Sequence, residues 1–257
     1  MSLWFEPDWP AANGVRALSS LRGDLNGGGA SQAPYAWFNL GAHVGDDPAA
    51  VAENRRLLRS GAGLPAEPSW LAQVHGVAVT DLDATDLDAT GIGAGLPVPA
   101  DAALTRRLGR VCAILTADCL PILFATDTGD AVAAAHAVWR GLAAGVVGAT
   151  VRALAAPPER LIAWLGPAIS RQHFEVGAEV REVFLRADAG AGEAFETKTA
   201  GKFMADLEML ARRQLQGLGV SRIYGGGQCT YARTDRYFSH RRDGVTGRQA
   251  TLIWRDG

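Results

Sequence analysis

Lysine is almost absent from this chain. Of its 25 basic residues only Lys198 and Lys202 are lysine, and the other 23 are arginine. Alanine and glycine are heavily used as well, a bias that reflects genome composition, so a single arginine carries little information. Cysteine is scarce too. Three in 257 residues are too few for a disulfide scaffold. They read instead as buried, metal-binding or nucleophilic thiols in a reducing compartment. There is no basic excess: the net charge is −2, which disfavours a dedicated nucleic-acid binder. No apolar run approaches the roughly 18 residues that span a membrane. Met1–Glu6 lacks a basic segment followed by an apolar one, so no secretory signal is expected and a cytoplasmic setting fits. No repeat, low-complexity tail or linker divides the chain. The expectation is one domain over residues 1–257, with an irregular N-terminal part over 1–36.

What is present is the composition of an ordered globular protein with a sizeable core, 48% hydrophobic and 20% charged. Residues 6–35 are rich in Gly, Pro, Asn and Ser and read as irregular structure or a strand pair around a loose loop. Asp46-Asp47-Pro48 caps a helix predicted over 48–60. Strand-like stretches follow at 70–75 and 77–80, then an exposed loop over 81–99. Short apolar runs at 111–115, 122–125 and 131–138 suit buried strands. A helix is predicted over 141–155, a strand over 161–165, helices over 177–188 and 205–217, and strands over 221–225 and 249–254. Strands and helices alternate without a simple βα period, which implies a mixed sheet.

Polar or metal-capable groups interrupt this apolar pattern in three places: Gln73-Val74-His75-Gly76, Ala117-Asp118-Cys119-Leu120-Pro121 and Ala135-His136-Ala137-Val138. A thiolate with two imidazoles is a suitable donor set for Zn²⁺, and three protein ligands leave a fourth tetrahedral position open, as in catalytic sites. The three residues are 44 and 17 positions apart, so no compact spacing rule supports the grouping. Each also reads as ordinary core, a hydrogen-bonded histidine or an inert thiol. Alternatively, Cys119 is a nucleophile and His75 or His136 its base. Cys112 and Cys229 read as structural, and His43 and His173 as surface residues. Near the C-terminus, nine arginines face three acids over 211–257. The run Tyr237–Gly244, with His240 and Arg241, places donors beside aromatics, as in an anion pocket or a solvated basic face.

Taken together, NLGAHVGDDPAAVAENRRLL (39–58), AQVHG (72–76), ADAALT (100–105), TADCLPILF (116–124), AAHAVWRGLAAGVV (134–147), LGPAIS (165–170), FEVG (174–177) and YFSHRRDG (237–244) resemble the YfiH/DUF152 family, also called laccase-domain or multicopper polyphenol oxidases. The chain departs from many relatives at Val138, where they carry glycine. The resemblance implies an α/β fold, a four-layer α/β/β/α sandwich with mixed sheets related in architecture to cysteine hydrolases. It implies that His75, Cys119 and His136 bind the metal. It further implies zinc-dependent phosphorolysis of adenosine, inosine, guanosine or methylthioadenosine together with adenosine deamination, or a cell-wall editing role. The partners implied are a purine nucleoside and phosphate. Copper follows from the older label, but five histidines cannot furnish a four-copper set. The H-x-E with P-C-x-x-C signature of zinc nucleobase deaminases is also absent. Candidate phosphate or substrate contacts are Arg55, Arg140, His240 and Arg241. Asp101 and Asp118 are candidates for proton transfer or ligand orientation.

Overall fold

The central apolar runs divide by parity. In Val111–Thr116, the residues Val111, Ala113 and Leu115 pack with Leu58 and Leu64, while Cys112 and Ile114 cluster with Leu123, Ala125, Val132 and Ala134. In Leu120–Thr126, Leu120, Ile122 and Phe124 pack instead with Val146, Val147, Val151 and Leu210. Successive side chains of a strand point to opposite faces. These strands are therefore covered on both faces, which is why they read as unbroken apolar runs.

The computed structural model describes residues 2–23, 28–84 and 97–257. Its strands are β1 (Trp4–Phe5), β2 (Val15–Ser20), β3 (Ser69–Trp70), β4 (Val79–Asp81), β5 (Ala102–Thr105), β6 (Val111–Thr116), β7 (Leu120–Thr126), β8 (Val132–Ala137), β9 (Leu161–Leu165), β10 (Glu175–Gly177), β11 (Phe195–Thr199), β12 (Lys202–Ala205), β13 (Arg222–Gly225) and β14 (Gln249–Arg255). Its helices are α1 (Pro48–Gly61), α2 (Trp139–Ala144), α3 (Val146–Leu154), α4 (Ala178–Ala187), α5 (Leu207–Gly217) and α6 (His240–Asp243).

One sheet runs β1-β2-β14-β6-β3 and a second runs β13-β9-β7-β8-β5-β4. Both mix parallel and antiparallel pairs. A third, antiparallel, sheet runs β10-β12-β11. One apolar cluster fills the space between the two large sheets. A second joins the outer face of the five-stranded sheet to α1, and a third joins the outer face of the six-stranded sheet to α2, α3, α4 and α5. The result is the four-layer α/β/β/α sandwich with mixed sheets. Among the described residues no helix is long and apolar enough to cross a membrane.

Several expectations needed correction. Residues 1–36 are not wholly irregular, because β2 pairs with β14 inside the sheet. The strand expected over 70–75 stops at Trp70, because the backbone N–H groups of Val74, His75 and Gly76 bond a carboxylate instead of a ladder. The helix expected over 141–155 is broken at Gly145, whose φ of +96° belongs to the left-handed region. Of the loop expected over 81–99, residues 85–96 lie outside the described residues. Its remainder is partly built in: Asp81 ends β4, Leu82 is buried, and Pro99 bridges to Ala72. Val138 sits just ahead of α2 with φ −74° and ψ 158°, an extended conformation open to any residue. The departure from glycine there leaves the local backbone unstrained.

Candidate functional site

His136 lies near the end of β8, with the same parity as Val132 and Ala134, and so points between the two large sheets. Antiparallel pairing of β8 with β7 sets Leu120 opposite Ala137, which brings Cys119 to the same end of the sheet. Pairing with β5 sets Ala135 opposite Ala102, and the His136 N–H donates to the Asp101 carbonyl at 2.7 Å just beyond.

Asp101 ties these strands to the segment that carries His75. Its side chain is fully buried. The carboxylate accepts from Val74 N at 3.2 Å, His75 N at 2.9 Å and Gly76 N at 2.6 Å, and lies 2.9 Å from His136 Nδ1. Burial pushes its pKa up, but the hydrogen bonds from His136, Gly76 and His75 outweigh burial and hold it below the usual carboxylate range. This grip sustains His75 at φ +63°, a strained conformation for a residue with a side chain. It also commits Nδ1 of His136, leaving Nε2 for a ligand.

The ligand atoms of His75, Cys119 and His136 lie within 4.8 Å of one another, the one such group of three among the described residues. The two imidazole rings are 5.2 Å apart. His136 is buried, Cys119 half-buried and His75 exposed, so the group opens to solvent on the His75 side. Burial alone would push the His136 imidazole down, but Cys119 and Asp101 beside it outweigh burial and push its pKa up to about 9. His75 shifts the other way: burial and His136 lower it, and Arg140 and Arg248 add to that against the pull of Asp101.

The other candidates are arranged less uniformly around this group. Asp118, with φ +97°, turns its carboxylate away to Thr230 Oγ1 and Arg241 N, each at 2.7 Å. Both of its oxygens are thereby engaged, and it ties the C-terminal segment to the β6–β7 turn. Arg241 further donates to the Glu175 carbonyl and lies over Phe174. His240 Nδ1 bonds the Gly244 carbonyl. Arg55 donates twice to the Leu40 carbonyl and stacks over Trp70 at 4.1 Å, and burial lowers its pKa to about 10. Arg140 lies over Trp139, is exposed, and its guanidinium makes no hydrogen bond within the described chain.

Two residues beside the group are not picked out by the sequence. His43 reads there as a surface residue. It is exposed, but burial and the charges of Arg248, Arg55 and His136 lower its pKa, which puts it within electrostatic reach of the site. Arg248 is, by sequence, only one of many C-terminal arginines. It directly precedes Gln249, which pairs with Thr116 at the end of β6, and that register brings it to the edge that holds Cys119. The signal that could have found His43 is its place inside the 39–58 motif. Arg248 has no local signal. Of the remaining residues, Cys112 lies in the inter-sheet core, where burial pushes its thiol far up. Cys229 accepts from Ser170 Oγ at 3.0 Å, and His173 stacks on Tyr231.

Known proteins resemble this chain over its whole length. A family model described as multi-copper polyphenol oxidoreductase laccase matches residues 24–256. A purine nucleoside phosphorylase of Pseudomonas aeruginosa is 49% identical over 255 residues, covering 99% of both chains. The purine nucleoside phosphorylase YfiH of Escherichia coli is 48% identical, also covering 99% of both. Among solved structures, a Neisseria meningitidis protein of family DUF152 superposes with a TM-score of 0.90 at 44% identity over the whole of both chains. YlmD of Geobacillus stearothermophilus superposes with a TM-score of 0.89 at 30% identity, covering 100% of this chain and 97% of that one. The chain belongs to the YfiH/DUF152 family, the group whose sequence model carries the multi-copper polyphenol oxidoreductase laccase description.

Proposed function

We propose that this protein is a zinc-dependent purine nucleoside phosphorylase, acting on adenosine, inosine, guanosine or methylthioadenosine and also deaminating adenosine in the cytoplasm. The observation that carries the reading is the convergence of His75, Cys119 and His136 on one open-sided group, in a chain whose full-length relatives are named purine nucleoside phosphorylases.

The donors fit zinc. One sulfur and two imidazole nitrogens are a borderline-soft set. A tetrahedral ion would hold them roughly 3.4–3.6 Å apart. The 4.8 Å limit is within reach of that once the exposed His75 side chain adjusts. They do not fit a multi-copper centre. Of the five histidines, His173 is stacked on Tyr231, His240 Nδ1 bonds the Gly244 carbonyl, and neither belongs to the group. When bound, zinc would polarise a substrate atom or lower the pKa of a water at its open position.

The chain's own residues do the rest. Asp101 holds His136 in one tautomer and fixes the backbone that carries His75. Arg140 and Arg248 supply positive charge beside the open side of the group. Phosphorolysis needs that charge, because phosphate must be held close to C1′ of the ribose while a cationic sugar-like transition state forms.

Purified protein given adenosine and phosphate is expected to yield adenine and ribose 1-phosphate, and inosine by deamination. Cys119→Ala is expected to abolish both with the fold intact. Unchanged turnover in that variant refutes the metal reading. A second reading, a Cys–His hydrolase, is favoured by the contact between His136 and Cys119 that raises the imidazole. It requires activity that survives a chelator and is stopped by stoichiometric alkylation of Cys119.

A further inference from the structure

The carboxylates around the metal group are already satisfied within the chain. Asp101 is held by three backbone N–H groups and His136, and Asp118 by Thr230 and Arg241. The cations are not. Arg248 has no carboxylate at ion-pair distance among the described residues, although it is half-buried. Desolvation of this kind makes an unpaired guanidinium a strong attractor of anions.

Its placement is built. Arg248 N donates to Asn39 Oδ1 at 2.8 Å, and its carbonyl accepts Leu40 N at 3.0 Å. The aliphatic stem runs over Gly41, where an added Cβ would lie 2.8 Å from Cγ of Arg248. Glycine at 41 is what leaves room for that stem. Nη1 donates to the carbonyls of Thr246 at 2.9 Å and Gly247 at 3.0 Å. Nε and Nη2 make no hydrogen bond within the described chain. Thr246, two residues earlier, is 2% exposed and its hydroxyl has no partner among the described residues. The pairing of Gln249 with Thr116 brings Arg248 to the edge that holds Cys119, where its charge bears on His43 and His75 and where Cys119 and Asp118 act on it beyond ion-pair distance.

We infer that Arg248 is the residue that binds the phosphate co-substrate, presenting Nε and Nη2 as a fork to two oxygens beside the His75–Cys119–His136 group, with His43 and Arg140 flanking it. Arg55 cannot present that fork, since its Nε and Nη2 both donate to the Leu40 carbonyl, and Arg241, although only its Nη1 is committed, to the Glu175 carbonyl, is exposed and lies over Phe174. This rests on the phosphorylase reading for the identity of the anion, but the site itself is defined without turnover.

The test titrates inorganic phosphate by calorimetry into the full chain as wild type, Arg248→Gln, Arg248→Lys and the surface control Arg59→Gln. Zinc content and thermal midpoint are measured on each. Arg248→Gln is expected to weaken phosphate binding tenfold or more and Arg248→Lys by less, since an ammonium cannot fork across two oxygens. Arg59→Gln is expected to match wild type, and zinc content to stay constant throughout. In turnover, phosphate KM rises in the Arg248 variants while nucleoside KM holds. Phosphate affinity or KM indifferent to Arg248→Gln overturns the assignment. If that variant fails to fold, the same indifference in Arg248→Lys overturns it. Phosphate bound through Arg248 without nucleoside turnover refutes the phosphorylase reading and leaves the anion site standing. Phosphorolysis with a phosphate KM indifferent to Arg248 does the reverse.

Discussion

A buried carboxylate that accepts four hydrogen bonds leaves no place for an amide. In Asp101→Asn, an NH₂ group must face one of Val74 N, His75 N, Gly76 N or His136 Nδ1. An unmet buried donor costs about 1–3 kcal/mol, and the 74–76 backbone loses the contact that holds His75 in the left-handed region. The variant is expected to unfold earlier in urea and to bind zinc 10- to 100-fold more weakly, as loss of a ligand's hydrogen-bond partner does elsewhere. Zinc affinity equal to wild type would show that Asp101 does not position the donors. The thiols give a second check. Cys112 is fully buried and its pKa is raised, whereas Cys119 and Cys229 are half-buried. A disulfide reagent is expected to titrate two thiols in the native metal-free protein, three after denaturation, and one once zinc is bound to Cys119. At this scale the sequence marked His75, Cys119 and His136 as candidate donors, but each also read as ordinary core, and only the family resemblance grouped them. The sequence did not reveal that Asp118 turns away from Cys119. That depends on a positive φ at a non-glycine residue, which no residue pattern announces.

Helices and strands were legible where periodicity alone determines them, as in α4, α5 and β9, and illegible where one contact overrides it. The α2–α3 break shows the second case. The run 141–155 carries an apolar helical pattern with no proline, and only the left-handed φ at Gly145 marks the corner. A Cβ there would meet nothing within 4 Å. Gly145→Ala is therefore expected to cost about 1–2 kcal/mol of backbone strain, read from urea unfolding, with turnover retained. The α5 N-terminus carries a pH-dependent element. Glu208 accepts Gly227 N with both oxygens at 2.9 and 3.0 Å. Burial raises its pKa, with Asp206 adding to the rise and Gly227 N–H and Arg212 opposing it. A carboxylate whose folded value lies above its unfolded value costs stability as pH climbs from the ordinary glutamate range through the raised one. Glu208→Gln keeps an acceptor for Gly227 without the charge. Its thermal midpoint is expected to exceed wild type at pH 7 and to converge on it below pH ~4. Solvent screening at this partly exposed site limits the gain to below about 1 kcal/mol.

At the scale of the whole molecule, the His75–Cys119–His136 group sits where β6, β7, β8 and β14 meet at one edge of a sandwich whose layers are fixed by apolar clusters on three levels. Removing the metal is expected to leave those layers folded and lower only the stability linked to binding. At zinc a hundredfold above its dissociation constant, that linkage is about 2.7 kcal/mol. A chelator should therefore shift the thermal midpoint downward without changing far-ultraviolet circular dichroism. Collapse of secondary structure on chelation would contradict a preformed site. The layer order was legible only through family resemblance, because it depends on pairings such as β14 with both β2 and β6 that span more than 130 residues. The position of β14 has a consequence for synthesis. Residues 249–255 are made after β2 and β6, yet they lie between these two much earlier strands. A nascent chain stalled before Gln249 would present β2 and β6 as bare, hydrogen-bond-hungry edges, each a template for intermolecular pairing. Such a chain would also lack the seam that delivers Arg248 to the rim, so neither the sheet nor the anion cradle can mature until translation has passed β14.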